Sequence, residues 1–325
     1  MSYWEAARSH PFTYPGAHPD GPFVLVDNEV HGLDRSLTLT EGTSLNDLLH
    51  TRSLPAVATR YPVLAYGGNR NPATLRLKMS HYRYATPGRG TVIPVLPARL
   101  RGFDVVAGGL SGQGYLYADL FADEHTAATE LDVHVLLLDD DQLRAMHDSE
   151  GVRTDLYDVA VLHGVELPGL GHSAALAYVG VAPVVFSPLL NAPLAFEAVR
   201  ATGRALPAFG ATAMIAHMIS AAGLSSEIRA IVAPGIIEPL DDMQLATELM
   251  RYLNGQWWWH QHTGQRRLLA CDRLEKAIRA GLAATSRPSK TRDLVALHEP
   301  VLSPDNAYQP GGELRFGACL TNLTR

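Results

Sequence analysis

Short apolar runs separated by turn-forming residues make up the middle of the chain. Runs of this length, rich in Val, Leu and Tyr and bounded by Gly, Pro and Asp, are typical of β-strands. We therefore predict strands at 23–26, 63–66, 91–96, 98–106, 115–120, 131–138, 157–163 and 173–179, with a break at Pro97 and a flexible loop at 108–114.

Capping residues mark the starts of helices. Ser44 precedes an apolar-faced run, Asn71 and Pro72 suit the N-cap and first helical position, and Asp139 precedes a segment that stops at Gly151. Beyond residue 183 prolines punctuate the chain, and helices are predicted at 211–222, 241–254 and 266–285, before an irregular end at 302–325. The predicted fold class is α+β, with an N-terminal appendage (1–57), a central domain (58–187) and a mainly helical C-terminal region (188–325).

Composition narrows the class of protein. Of 325 residues, 46% are hydrophobic and 18% charged, which is enough for a sizeable core and excludes global disorder. The net charge of −6 argues against nucleic-acid binding. The chain has 2 cysteines, no apolar leader segment, and a longest apolar stretch (210–224) too short to span a membrane. We therefore expect a cytoplasmic protein with no nucleic-acid or membrane partner, and homo-oligomerisation stays open.

The first candidate for chemistry is Tyr66, Gly67, Gly68 and Asn69, here called the glycine loop, between a strand and a helix. Glycines let the backbone approach a ligand closely, and N–H groups at a helix start can hold a carboxylate or an oxyanion. An ordinary connecting turn would have the same sequence.

The second candidate is Glu150, at the predicted end of a helix and seven positions before Tyr157. A carboxyl group in a partly apolar cleft has a raised pKa and can act as a base and then as an acid near neutral pH. A solvated surface charge is the alternative.

Together these segments resemble the γ-glutamylcyclotransferase-like family. The resemblance spans about 59–185 and rests on the glycine loop with Asn71 and Pro72, then Arg99, Leu100, Arg101, Gly102 and Phe103, then Glu150, Gly151, Val152 and Tyr157. It implies that Glu150 is the catalytic acid/base, and that Tyr66, Gly67, Gly68, Asn69 and Tyr157 bind substrate. It also implies a small mixed β-barrel with flanking helices.

Two positions depart from the family pattern. Gly68 stands where the loop usually has serine, and His147 stands where leucine is common. The first departure puts any contact through a loop hydroxyl in doubt, although backbone contacts tolerate glycine.

The implied reaction is cyclisation of a γ-glutamyl amide to 5-oxoproline with release of an amine, which requires no metal or other cofactor. The partner would be a small γ-glutamyl compound. Two alternatives are a binding or scaffold protein that uses the cleft and the helical tail, and a related amide-cleaving enzyme acting on another acyl group.

Three weaker candidates have simple structural interpretations. His260 and His262 could bind a metal but are expected in a polar turn, because no carboxylate or cysteine partner lies nearby. Trp257–Trp259 could stack on a ligand but more often such a cluster anchors a helix. Asp139–Asp141 could bind a cation, although a helix cap is simpler.

Overall fold

A computed structural model describes residues 4–81, 90–154, 156–263, 286–287 and 314–319. The helices are α1 (Leu45–Thr51), α2 (Pro72–His81), α3 (Asp140–Ser149), α4 (Ala211–Ala222), α5 (Ser225–Val232), α6 (Asp242–Thr263) and α7 (Phe316–Cys319). The longer strands are β1 (Phe23–Val26), β2 (Glu29–Gly32), β3 (Tyr61–Ala65), β4 (Val92–Arg101), β5 (Asp104–Leu110), β6 (Leu116–Phe121), β7 (Glu130–Leu138), β8 (Tyr157–Leu167), β9 (Gly171–Gly180) and β10 (Val184–Ser187). Shorter strands follow at β11 (Ala192–Pro193), β12 (Ala195–Phe196), β13 (Ala201–Thr202), β14 (Ala208–Phe209) and β15 (Ser286–Arg287).

The architecture is mixed α/β, built around an eight-stranded sheet with the order β13-β7-β3-β9-β8-β4-β1-β2. β7 also pairs with β4, so the strands from β7 to β4 in this order form a closed circuit of pairings. All pairs in this circuit are antiparallel except β3 with β9, which run parallel. A four-stranded sheet, β14-β12-β5-β6, and a three-stranded one, β11-β10-β15, complete the described sheets. The description of the main sheet as a small barrel stays a prediction.

Local sequence signals explain most element boundaries. The Ser44 side chain accepts a hydrogen bond from the Asp47 N–H, and Asp139 forms a reciprocal capping box with Gln142 at the start of α3. Asp139 therefore acts as the helix cap favoured by the sequence.

Two strand predictions were wrong. β4 continues through Pro97, which lies opposite His134 on β7, because a strand tolerates proline where its N–H is not needed for the ladder. The chain turns instead at Gly102, and the first three residues of the predicted loop 108–114 belong to β5.

Two of the helices predicted in the C-terminal region are present. α4 has the predicted bounds, and α6 continues beyond its predicted end. α6 runs to Thr263, so the backbone of His260–His262 is helical and the predicted polar turn was wrong. The sequence there contains no proline that would end the helix. The predicted helix at 266–285 and most of the irregular segment 302–325 lie outside the described residues.

One hydrophobic cluster joins all three predicted parts of the chain. It includes Leu49 of α1, Leu64 of β3, Leu110 of β5, Met214 of α4 and Leu249 of α6. α6 also lies directly against the β5–β6 connection. At Gly114 (φ +80°) an added Cβ would be 2.6 Å from the Met250 carbonyl oxygen, so only glycine fits there. The helical tail thus packs on the sheets, while the division into three domains stays a prediction.

Within the described residues no helix is long and apolar enough to cross a membrane.

A buried ion pair fixes the segment after β13 to β5. The Asp104 side chain is fully buried, and Arg204 donates to both of its oxygens, from Nε to Oδ2 and from Nη2 to Oδ1, each at 2.9 Å. Burial raises the pKa of Asp104, and the hydrogen bonds and charge of Arg204 act in the opposite direction.

We predict that Arg204→Gln lowers the free energy of unfolding by about 3 kcal/mol, because it leaves a buried carboxylate without its cation. Arg200→Gln, four positions earlier and exposed, is the control and is expected to change it by less than about 0.5 kcal/mol. Denaturant unfolding measures both, and equal losses would contradict the role assigned to the pair.

Candidate active site

A cavity of about 500 Å³ lies between the glycine loop and the end of α3. Its wall includes all six residues for which the sequence suggests a function, namely Tyr66, Gly67, Gly68, Asn69, Glu150 and Tyr157. The wall also includes residues for which no function was predicted, among them Arg8, Tyr14, Lys78, Tyr115 and Tyr178.

The glycine loop connects a buried strand to a helix. β3 is buried along its whole length, Gly68–Arg70 form one 3-10 turn, and α2 begins at Pro72. The Asn71 side-chain oxygen accepts the Thr74 N–H at 2.9 Å, which is the capping bond expected from the sequence. The loop is thereby held at the N-terminal end of α2, where backbone N–H groups point outward.

Tyr14, from the N-terminal segment, packs directly on this loop. A Cβ at Gly67 would be 2.6 Å from the Tyr14 hydroxyl oxygen, whereas a Cβ at Gly68 would meet nothing closer than 3.6 Å. The hydroxyl oxygen accepts the Ala118 N–H at 3.0 Å. Gly67 is therefore required for the close approach of Tyr14.

Glu150 follows the last residue of α3 and lines the cavity. Its side chain is only 11% exposed. The negative end of the helix dipole disfavours a carboxylate at this position, so cationic or N–H partners are needed. Asn69 Nδ2 donates to Glu150 Oε1 at 2.6 Å, and the Lys78 ammonium forms a short ion pair with the same oxygen.

The second carboxylate oxygen is differently placed. Glu150 Oε2 accepts no hydrogen bond from any residue within the described ranges. The carboxylate is therefore held through one oxygen, while the other keeps its capacity to receive a proton or bind an ammonium group.

Buried phenols form much of the remaining wall. The Tyr157 hydroxyl donates to the Ala118 carbonyl at 2.8 Å, and the Tyr66 hydroxyl donates to the Tyr178 carbonyl. Burial raises the pKa of both groups well above its usual value, so both remain protonated and neutral. Because their protons are committed to backbone carbonyls, these hydroxyls are free only to accept.

His147, the second departure from the family pattern, is buried in α3. Its Nδ1 lies 2.9 Å from the Tyr178 hydroxyl, so the two side chains are hydrogen-bonded behind the cavity wall. Burial lowers the pKa of His147 to about 4, and the nearby Asp148 and Glu150 oppose that shift.

One group of side chains has a possible metal-binding arrangement. Asp123, Glu124 and His125 have ligand atoms within 4.8 Å of one another, but none of them lines the cavity. Asp123 accepts the His125 N–H at 2.9 Å, which is the ordinary role of a turn cap.

Sequence reasoning missed Lys78, Arg8 and Tyr14. The sequence did contain a signal for Lys78. It lies one helical turn after Thr74 on α2, and both residues line the cavity. Arg8 and Tyr14 had none, since the segment before β1 has no periodic pattern and reaches the cavity only through tertiary packing.

The chain shows only limited similarity to known proteins. No family model and no curated protein matches the chain. A solved structure of an uncharacterized protein from Homo sapiens is 20% identical, covers 38% of this chain and 67% of its own, and has a TM-score of 0.28. A γ-glutamyl cyclotransferase structure is 18% identical, covers 37% of this chain and 66% of its own, and has a TM-score of 0.27. These values are too low to carry an inference about activity, so the family likeness stays a resemblance.

The buried imidazole makes stability depend on pH. Because the pKa of His147 falls from 6.5 to about 4 on folding, the unfolded chain takes up a proton in this interval that the folded chain does not. The contribution of neutral His147 to the free energy of unfolding is therefore fully present above pH 6.5 and is lost as the pH falls towards 4.

We predict that His147→Leu removes this loss. Between pH 7 and pH 5 the wild type should lose about 1–2 kcal/mol more unfolding free energy than the variant. Denaturant melts at the two pH values measure this, with His163→Leu on an exposed position of β8 as the control. Parallel pH profiles for wild type and His147→Leu would contradict the prediction.

Proposed function

We propose that this protein is an enzyme that converts a γ-glutamyl amide into 5-oxoproline and a free amine. The observation that carries the proposal is the Glu150 side chain, which is only 11% exposed, lines the cavity, and is held through Oε1 beside the glycine loop, while Oε2 accepts no hydrogen bond from the described residues. A carboxylate with only a surface role would be exposed to bulk solvent.

The reaction needs a single group that first takes a proton and later returns it. Glu150 accepts a proton from the α-ammonium group of the substrate, and the freed amine attacks the γ-carbonyl carbon of the same molecule. A C–N bond forms and closes a five-membered ring, with negative charge on the carbonyl oxygen. Protonated Glu150 then gives its proton to the leaving nitrogen, and the original amide C–N bond breaks. The ring nitrogen passes the second of its two protons to the released amine, so the lactam is neutral and the amine leaves as an ammonium ion.

Most of the rate gain would come from geometry. The amine and the carbonyl belong to one molecule, so the cavity has only to hold the folded conformer in which they meet. The surrounding phenol rings of Tyr66, Tyr115 and Tyr157 restrict that space and exclude water.

The glycine loop would stabilise the oxyanion. The N–H groups of Gly67, Gly68 and Asn69 lie at the start of the 3-10 turn. Burial raises the pKa of Tyr14 far above its usual value, so its hydroxyl keeps a proton that can be donated into the cavity. Tyr14 thereby offers a hydroxyl donor beside the loop, where Gly68 offers none.

Lys78 offsets the charge of Glu150 before substrate binds. Its ammonium group pairs with Glu150 Oε1, and the incoming substrate brings both an ammonium and a carboxylate group. The substrate ammonium would pair with Glu150 and the substrate carboxylate with Lys78, so no charge is left without a partner.

The same ion pair supports the competing function, a binding protein without catalysis. Glu150 and Lys78 neutralise each other without any ligand, as a structural pair would. Activity measurements separate the two functions.

We predict that a panel of γ-glutamyl compounds yields 5-oxoproline, detected by mass spectrometry, and that Glu150→Gln lowers turnover by about 10²–10⁴-fold. The change keeps the size and hydrogen bonding of the side chain but removes the titrating proton. Asp148→Asn, at the same helix end but outside the cavity wall, is the control and should keep its activity.

Three outcomes bear on the proposal. Full turnover of a substrate by Glu150→Gln would remove Glu150 from catalysis. Binding of γ-glutamyl compounds by the wild type without product would favour the binding protein. Cleavage without ring closure would favour the related amide-cleaving enzyme.

The two loop glycines give a matched pair of variants. Gly67→Ala should place a methyl group 2.6 Å from the Tyr14 hydroxyl oxygen, displace Tyr14, and lower kcat/KM by about tenfold or more. Gly68→Ser, whose Cβ has 3.6 Å to its nearest neighbour, should be tolerated. Steady-state kinetics and thermal melts measure both, and equal kinetics for the two variants would take Tyr14 and Gly67 out of the site.

A further inference from the structure

Among the described residues, three charged side chains line the cavity, namely Arg8, Lys78 and Glu150. Lys78 and Glu150 form an ion pair, so their charges offset each other. Arg8 has no carboxylate partner within the described ranges, so the charged side chains of the described wall sum to one positive charge. A buried or half-buried cation without a counter-ion favours an anionic ligand.

Arg8 is held in place by neutral groups. Its Nε donates to Gln113 Oε1 at 3.2 Å, and its guanidinium carbon lies 4.7 Å from the centre of the Trp257 ring. Asn254 of α6 fixes the backbone of the same region, with Nδ2 donating to the Arg8 carbonyl at 2.6 Å and to the Gln113 carbonyl at 3.2 Å. Stacking and a single Nε bond orient the guanidinium while its Nη donors remain without an acceptor among the described residues.

Arg8 and Glu150 occupy separate parts of the wall. Arg8 contacts Gln113 and Trp257, whereas Glu150 contacts Asn69 and Lys78. Tyr115 also lines this cavity, and its ring stacks on Tyr14 with centroids 5.7 Å apart. Arg8 and Glu150 line this one cavity of about 500 Å³, so a single ligand can contact both.

We propose that Arg8 is a specificity-determining residue that binds a carboxylate on the leaving amine of the substrate. The inference rests on the proposed function, in which Glu150 and Lys78 take the ammonium and carboxylate groups of the γ-glutamyl end. The charge of +1 on the described cavity wall, from two cations and one anion, then matches a substrate of net charge −1. The substrate class is γ-glutamyl amides whose leaving amine is itself an amino acid or a peptide, rather than a neutral or cationic amine.

The test compares two substrates that differ only in this group, γ-glutamylalanine and γ-glutamylethylamide. We expect Arg8→Gln to lower kcat/KM for γ-glutamylalanine by about 10–100-fold, mainly through KM, and to leave γ-glutamylethylamide nearly unchanged. Arg8→Lys should restore part of the loss because it returns the charge without the planar geometry.

Arg76→Gln is the matched control. Arg76 also stacks on a tryptophan, with its guanidinium carbon 5.2 Å from the Trp4 ring, but it does not line the cavity. It should leave the preference between the two substrates unchanged. Equal losses on both substrates with Arg8→Gln, or no loss on either, would overturn the inference.

Binding measurements keep this inference separate from the proposed reaction. Isothermal titration of γ-glutamylalanine and γ-glutamylethylamide into Glu150→Gln, with and without Arg8→Gln, reports the same preference without turnover. If no 5-oxoproline forms but Arg8→Gln still abolishes the preference for the carboxylate, the reaction fails and the subsite stands. If 5-oxoproline forms and neither affinity nor kcat/KM depends on Arg8, the reaction stands and the subsite is overturned.

Discussion

The contact between Tyr14 and Gly67 is the constraint on which the shape of the cavity depends. A side chain at position 67 would occupy the place of the Tyr14 hydroxyl, so the loop admits the phenol only because it has no Cβ there. Through this hydroxyl the N-terminal segment is tied to the Ala118 N–H of β6. Arg8 belongs to that same segment, and α6 secures it from the other side through Asn254. Residues far apart in sequence therefore form one wall because a single glycine leaves room for a ring.

Charge balance is the second constraint, and it connects the fold to the chemistry. A carboxylate at the end of α3 faces the negative end of a helix dipole and would be unfavourable without partners. Asn69 from the loop and Lys78 from α2 supply them, so the loop and α2 together provide the partners that this position requires. A substrate ammonium arriving at Glu150 would replace one cation by another and conserve the local charge. The ion pair between Lys78 and Glu150 is thus compatible with a site that is stable before substrate binds and can still accept a zwitterionic group.

The sequence predicted helices and strands well where their bounds depend on local capping and periodicity. It predicted them poorly where their bounds depend on long-range packing. Asn71 and Asp139 cap their helices as expected, and Glu150 lies beside the glycine loop as the family resemblance implied. Pro97 failed as a strand break because β4 has partners that tolerate a missing N–H, and that pairing is not visible in the sequence. Arg8 could not be recognised for a related reason, since its place in the cavity wall depends on tertiary contacts with Gln113, Trp257 and Asn254. The least patterned segment of the chain therefore carries two residues of the proposed site.

In the proposed reaction this arrangement also compensates for the serine that the family pattern has in the glycine loop. A serine hydroxyl at position 68 would be one donor beside the reacting carbonyl, and Gly68 supplies no hydroxyl. Tyr14 brings a hydroxyl to the same loop, and burial keeps it protonated by raising its pKa. Because the backbone N–H of Ala118 donates to its oxygen, the hydroxyl is polarised in the direction that makes its own proton a better donor. In the proposed reaction the N-terminal segment therefore compensates for the loop, and the departure from the family pattern at Gly68 is consistent with retained catalysis.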